Sequence, residues 1–186
     1  MSDATLPVPD FVTSQIFPFD GEFRVRPYKP HFESDRPRSG EPGGAPCGCE
    51  TATDDDFIWV DDDWRVRPAS PLGVPVQLFL ETRAHVDMDE LTPELAAGLG
   101  TMIVRLDRAI QAVGGIGRVH VSRWGDGGSH FHMWFYGRPV GASQLLGFCL
   151  PMWAMILPPT DDETWQRNLR IVATELAKGG GRAILR

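Results

Sequence analysis

The stretch VHVSRWGDGGSHFHMWFYGRP, residues 119–139, decides the fold prediction for this chain of 186 residues. Two runs rich in β-branched and aromatic residues flank the glycine-rich connection GDGG at 125–128. Glycines supply the positive φ angles that a tight hairpin requires, so the two runs are predicted to be neighbouring antiparallel strands. Two of the five histidines, His130 and His132, lie at the start of the second strand.

Side chains alternate between two different faces along this second strand. Residues two apart point to the same side, so His130, His132 and Trp134 share one face. Phe131 and Met133 lie on the opposite, apolar face, which is expected to pack on a helix. The histidines are therefore expected to face a cleft.

Two helices are predicted outside the hairpin. Residues 91–115, LTPELAAGLGTMIVRLDRAIQAVGG, have Thr92 as N-cap, Pro93 at the first helical position, apolar residues at helical spacing and glycines at the end. A second helix is predicted to begin with a capping box from Thr160 to Glu163. With three earlier strands in FIWV, WRVRP and VQLFLE, the order predicts an α+β fold, an antiparallel sheet with one long central helix and a C-terminal helix.

Three regions are expected along the chain. Residues 1–46 hold half of the 16 prolines and are predicted to form an extended arm that ends in a mobile linker, SDRPRSGEPGGAP at 34–46. Residues 47–140 are predicted to be the folded domain. Residues 141–186 are expected to be a C-terminal extension whose helix packs on the same domain.

Charge and hydropathy exclude several classes of partner. The formal net charge of -7 argues against binding to nucleic acid backbones or anionic membranes. The chain does not begin like a signal peptide, and the apolar stretch at 145–157 is interrupted by Gly147 and Pro151. A cytoplasmic protein without nucleic-acid or membrane partners is therefore expected.

Two histidines on one strand face, beside a glycine turn, suit phosphoryl or nucleotidyl transfer. A neutral imidazole held at one nitrogen by a backbone carbonyl is a nucleophile toward phosphorus at the other. A neighbouring imidazole and backbone N–H groups then hold the phosphate oxygens. The alternative is that these are ordinary half-buried histidines of a hairpin, and the spacing alone leaves both interpretations open.

Three stretches together resemble the histidine triad (HIT) superfamily: CGCE…FIWVDDDWRV, residues 78–110 and residues 119–139. In that family a Cys-x-x-Cys opening and an acidic hairpin precede a strand ending in a basic-x-His turn, a long helix and the signature His-φ-His-φ-His-φ-φ. The resemblance implies a HIT-like fold and the hydrolysis or transfer of nucleoside monophosphates through a nucleotidyl-histidine. The middle histidine of the signature is the nucleophile and falls on His132, and no cofactor is required for this step.

The resemblance also implies roles for residues around His132. His130 matches the first histidine of the signature, which orients and binds the α-phosphate. Ser129, with the amides of Gly127 and Gly128, is expected to donate to phosphate oxygens. Further substrate-binding candidates are Ser122, where the family often keeps a polar residue, Arg123, which flanks the hairpin and suits phosphate, and Trp134, whose ring suits a base.

The chain departs from the family pattern at two places. Trp134 stands where the signature has a third histidine or, in the uridylyltransferase branch, a glutamine. Residues 68–70, Pro-Ala-Ser, stand where many members keep an acid for the ribose hydroxyls. These differences predict a different substrate or a lost nucleotide activity, and they leave open a second hypothesis, a binding protein that keeps the cleft without catalysis.

Cys47 and Cys49, with His85 and a histidine of the signature, are similar to the structural zinc site of some bacterial HIT proteins. The alternatives are two surface thiols and a His85 that only caps the turn before the helix. A third hypothesis follows, a zinc-stabilised interaction module whose proline-rich arm binds a partner. The resemblance further implies a homodimer and a small nucleotide or other phosphorylated ligand.

Overall fold

The computed structural model describes residues 7–185, and within them six strands and three α-helices are present. The strands are β1 (Trp59–Val60), β2 (Trp64–Pro68), β3 (Val76–Thr82), β4 (Ile116–Ser122), β5 (His132–Pro139) and β6 (Arg182–Ala183). The helices are α1 (Pro93–Gln111), α2 (Cys149–Ile156) and α3 (Asp162–Ala177). No helix in this part of the chain is long and apolar enough to cross a membrane.

All six strands belong to one open antiparallel sheet with the order β4-β5-β3-β2-β1-β6. β5 lies between β3 and β4, so it is held by hydrogen bonds on both sides. Glu81 of β3 is the cross-strand partner of His132, and Ser122 of β4 is the partner of Trp134. The strand that carries the candidate nucleophile is therefore an interior strand of the sheet.

The helices α1 and α3 cover one face of the sheet, and this layer is the main core. α1 begins as predicted, because the Thr92 hydroxyl accepts from the N–H of Leu95 and Pro93 occupies the first turn. Phe131 and Phe135 are fully buried on this side. The predicted α+β fold, with its antiparallel sheet, long central helix and C-terminal helix, is confirmed.

The other face of the sheet is partly covered by α2, a helix that was not predicted from the sequence. Pro151 lies in the first turn of α2, where backbone N–H groups have no partner within the helix, so it does not interrupt it. A second apolar cluster joins α2 to the sheet through Val74, Tyr136, Leu145, Leu150 and Ala154. This cluster closes one end of the face on which His132 lies.

The C-terminal segment differs from the prediction in two details. The N-cap of α3 is Asp161, whose carboxylate accepts from the N–H of Thr164 at 2.9 Å. The hydroxyl of Thr160, the predicted cap, donates instead to the carbonyl of Val74 at 2.9 Å. After α3 the chain adds β6 as an edge strand beside β1.

The described part of the N-terminal arm contacts the body at two places. Near its start, the indole Nε1 of Trp153 donates to the carbonyl of Ile16 at 2.7 Å, and Phe11 packs edge-on against Phe148. Further on, Arg38 and Ser39 bind the loop between β4 and β5. The segment predicted to be a mobile linker is thus attached to the domain, because its polar groups pair with that loop.

Candidate functional site

His132 begins β5 and is half-buried, with one ring nitrogen fixed by the backbone. Its Nδ1 lies 2.9 Å from the carbonyl oxygen of His130. Because a carbonyl oxygen only accepts hydrogen bonds, Nδ1 carries a proton, and the neutral tautomer that makes this bond has its lone pair on Nε2. Phe79 packs edge-on against the ring, with 6.3 Å between the centroids. The arrangement directs Nε2 away from the carbonyl that holds Nδ1.

A pocket of about 220 Å³ borders His132. Its walls are formed by Cys47, Gly48, Cys49, Arg67, Glu81, His130, Phe131 and His132. Arg67 and Glu81 form an ion pair in this wall, with 2.8 Å between Nε and Oε1. Neither residue was among the site residues predicted from the sequence. Strand alternation puts both on the same face as His132, but only the cross-strand register reveals that they are neighbours.

Two cysteines and two histidines converge at one end of this pocket. Their ligand atoms all lie within 4.8 Å of one another, and the residues are Cys47, Cys49, His85 and His130. The Sγ of Cys49 is 3.2 Å from Nδ1 of His85. The Sγ of Cys47 is 3.6 Å from Nδ1 of His130. Tetrahedral zinc with ordinary bond lengths places its ligand atoms roughly 3.3–3.8 Å apart. The two sulfur–nitrogen distances are close to this range, and the two-sulfur, two-nitrogen donor set suits zinc.

A backbone hydrogen bond and burial both favour the form of the His130 ring that can bind a metal ion. Its Nε2–H donates to the carbonyl of Thr82 at 2.8 Å, which leaves Nδ1 as the lone-pair nitrogen on the side of Cys47. Burial lowers the pKa of His130, which favours the neutral ring that a metal ligand must be. Burial and then the adjacent Cys47 raise the pKa of the Cys49 thiol to about 11, so a cation that binds here displaces protons.

No protein-family model matches the sequence, and no curated protein matches it significantly. Solved structures do match. A histidine triad protein from Bradyrhizobium japonicum has a TM-score of 0.54 at 19% identity, over 64% of this chain and 89% of that one. A zinc-bound histidine triad family protein from Mycobacterium smegmatis has a TM-score of 0.51 at 19% identity, over 70% and 91%. The chain has a histidine triad fold. A uridylyltransferase mutant matches with a TM-score of 0.50 at 18% identity, over 70% of this chain and 46% of that one.

In this histidine triad fold the arm covers the glycine turn before β5. The N–H and the hydroxyl of Ser129 both donate to the carbonyl of Ser39, at 2.9 and 3.2 Å. Ser39 also donates its N–H to the carbonyl of Gly127 and forms a β-bridge with Gly128. The N–H and hydroxyl of Ser129, predicted to bind phosphate, are thus hydrogen-bonded to the arm. Neither Gly127 nor Gly128 lines the pocket.

Arg123, another predicted substrate-binding residue, forms an ion pair with Asp87 at 2.6 Å. The same carboxylate accepts from Arg38 at 2.6 Å and from the N–H of Met88 at 2.6 Å. Burial acts to raise the pKa of Asp87, but these hydrogen bonds outweigh it and hold that pKa below its usual value. Asp87 therefore links Arg38 of the arm to Arg123 of the hairpin, and Arg123 does not line the pocket of His132.

Trp134 and Ser122 share the sheet face of His132, but neither lines its pocket. The Trp134 ring packs against Phe79, with 4.4 Å between centroids, and stacks on Tyr136 at 6.1 Å. It also packs against the cluster beneath α2, and its indole nitrogen is buried without a hydrogen-bond partner in the described part of the chain. The ring predicted to receive a base is therefore partly buried against protein groups.

Proposed function

We propose that the protein is a nucleotidyl hydrolase or transferase in which His132 attacks the α-phosphate of a nucleotide conjugate. The observation that carries this proposal is the hydrogen bond from His132 Nδ1 to the carbonyl of His130, which selects the tautomer with its lone pair on Nε2, in a residue that lines a pocket. The histidine triad fold, which a solved uridylyltransferase mutant shares, supports the same class of reaction.

The reaction takes place in two steps. In the first, the lone pair of His132 Nε2 forms a bond to phosphorus, and the leaving group departs with the electrons of the broken bond and takes a proton from solvent. The Nδ1 proton stays on the hydrogen bond to the His130 carbonyl, which stabilises the positive charge of the substituted ring. In the second step water or another acceptor attacks phosphorus, the N–P bond breaks, and the acceptor's proton is released.

The geometry favours a different role for His130 from the phosphate contact that the resemblance implied. We propose that His130 is a zinc ligand together with Cys47, Cys49 and His85, a proposal supported by the spacing of their donor atoms. The solved histidine triad protein from Mycobacterium smegmatis is zinc-bound, which supports the same assignment. A zinc ion held by four protein side chains has no open position and stabilises the structure. By fixing His130, it would also fix the carbonyl that orients His132.

Intact-protein mass spectrometry tests the covalent step. Wild type, His132→Ala and His120→Ala are incubated briefly with nucleoside phosphoramidates and dinucleoside polyphosphates and quenched at mildly basic pH, because an N–P bond is labile in acid. His120 is the matched control, since it is half-buried on the same sheet face, opposite Tyr136. We expect a nucleotidyl mass gain in wild type and His120→Ala and none in His132→Ala. No adduct and no substrate loss with any compound would overturn the proposal.

One observation favours a second candidate function, ligand binding without turnover. The donors of Ser129 are bound to the arm, so a catalytic set that depends on them is incomplete. In that case a nucleoside monophosphate should bind wild type and His132→Ala with the same affinity in calorimetry, and no compound should be consumed.

A further inference from the structure

Arg67 is the one arginine or lysine among residues 7–185 that lines the pocket of His132. It lies on β2 opposite Phe79 of β3. Two residues away along these strands, and on the same face, a row of cross-strand partners runs from Arg65 through Glu81 to His132. Partners across a strand pair have Cβ atoms about 4.5–5.5 Å apart. A cation is therefore built into the wall beside the proposed nucleophile, with Glu81 between them.

Two contacts fix the guanidinium of Arg67. Glu81 accepts from it twice, at 2.8 Å from Nε and 3.4 Å from Nη2. The ring of Phe57 lies 4.4 Å from its Cζ, and Arg65 stacks on the same ring at 4.4 Å. A guanidinium held in this way loses little conformational entropy when it binds a ligand.

The remaining amino group of Arg67, Nη1, has no hydrogen-bond acceptor among residues 7–185. The Arg67 side chain is 29% exposed, while that of Glu81 is 14% exposed. The arginine is thus the member of the pair that reaches open space. Phosphate oxygens match the geometry of a guanidinium, whose charge strengthens each hydrogen bond to them. Of the three candidates for anion binding, the Ser129 hydroxyl donates to the carbonyl of Ser39 and Arg123 pairs with Asp87. Arg67 is therefore the candidate that remains to bind an anion in this pocket.

We propose that Arg67 binds the phosphoryl group that His132 attacks, through an unesterified oxygen on that phosphorus. The inference rests on the proposed function for the reaction itself, whereas phosphate binding is measured separately. Negative charge on the oxygens of the attacked phosphorus strengthens the contact with Arg67 in the transition state.

Inorganic phosphate is the probe for this site. The His132 imidazole resonances are followed by NMR while phosphate is added to wild type, Arg67→Gln, Arg67→Lys and Arg118→Gln. Arg118 is the matched control, because it is exposed and its guanidinium donates to the carbonyl of Gly117. We expect Arg67→Gln to weaken phosphate binding by about tenfold or more and Arg67→Lys by less, because lysine keeps the charge. Arg118→Gln should leave it unchanged.

Two results would overturn the inference: no phosphate effect on wild type, or an Arg67→Gln variant that binds phosphate as wild type does. If Arg67→Gln does not fold, the Arg67 Nε–H resonance of wild type gives the answer, since it must shift as phosphate binds. Normal adduct formation in Arg67→Gln would refute the role of Arg67 and keep the nucleophile. Loss of phosphate binding in that variant, without an adduct on wild type, would keep the anion site and refute the covalent reaction.

Discussion

Replacing Asp87 by alanine should lower the free energy of unfolding by about 3 kcal/mol. Its carboxylate is 10% exposed and accepts from Arg38, Arg123 and the N–H of Met88, each at 2.6 Å. Removing one partner of a buried charge pair costs about 3–5 kcal/mol. Here the two arginine side chains are 28% and 30% exposed, so water replaces part of the lost contact and the lower end applies.

Thermal and urea unfolding at neutral pH measure this loss. For a chain of this length about 3 kcal/mol corresponds to a melting temperature lower by roughly 6–12 °C. Asp89→Ala is the control, because Asp89 is exposed on the same short turn, and it should change stability by less than about 0.5 kcal/mol. If Asp87→Ala cost less than about 1 kcal/mol, the network would be worth no more than a surface ion pair, and the reasoning would be wrong.

The pH dependence gives a second check on Asp87. Its pKa is lower in the folded chain than in the unfolded one, so the stabilisation is present above the unfolded pKa. It is lost as pH falls below about 4 and through the folded pKa. The difference in stability between wild type and Asp87→Ala should therefore shrink on acidification, and a constant difference down to low pH would contradict the assignment.

Three further changes test other contacts. Native mass spectrometry should find one zinc per wild-type chain and none in Cys47→Ser, and zinc at about 100 times its Kd should raise the melting temperature of wild type by roughly 5–11 °C over chelator. Gly40→Ala should cost about 1–3 kcal/mol in urea unfolding, because Gly40 has φ +91° and a Cβ there would lie 2.7 Å from the His85 ring. Trp153→Phe removes the hydrogen bond to Ile16, and limited proteolysis should cut the arm faster than in wild type.

Sequence patterns predicted the features that depend on local order. Strand alternation placed Phe131 on the core face, and the cap at Thr92 marked the start of α1. The features that were missed depend on long-range pairing. Arg67 and Glu81 enter the site only through the register of three strands, and Ser39 reaches Ser129 across 90 positions of the chain. Neither contact leaves a periodic signal in the sequence.

α2 was missed for a different reason. Its apolar run is short and contains Pro151, which is unfavourable in a helix interior but tolerated in a first turn. Whether such a run becomes a helix is decided by what it covers, here Tyr136 and its neighbours. The partial burial of Trp134 could not be predicted without this helix, because the face of a strand is open only if nothing later in the chain packs on it.

The four residues of the cysteine and histidine cluster are synthesised at different times, and this limits when a metal ion can bind during translation. Cys47 and His130 are 83 positions apart, so the two thiols leave the exit tunnel well before their last partner is synthesised. During that interval they are exposed to oxidants and to other metal-binding molecules. The four-residue set can be completed only when the β4-β5 hairpin forms, and its closure then removes the freedom of a long loop. Metal binding by all four residues would therefore come late in biosynthesis, and it would show that the hairpin bearing His132 has folded.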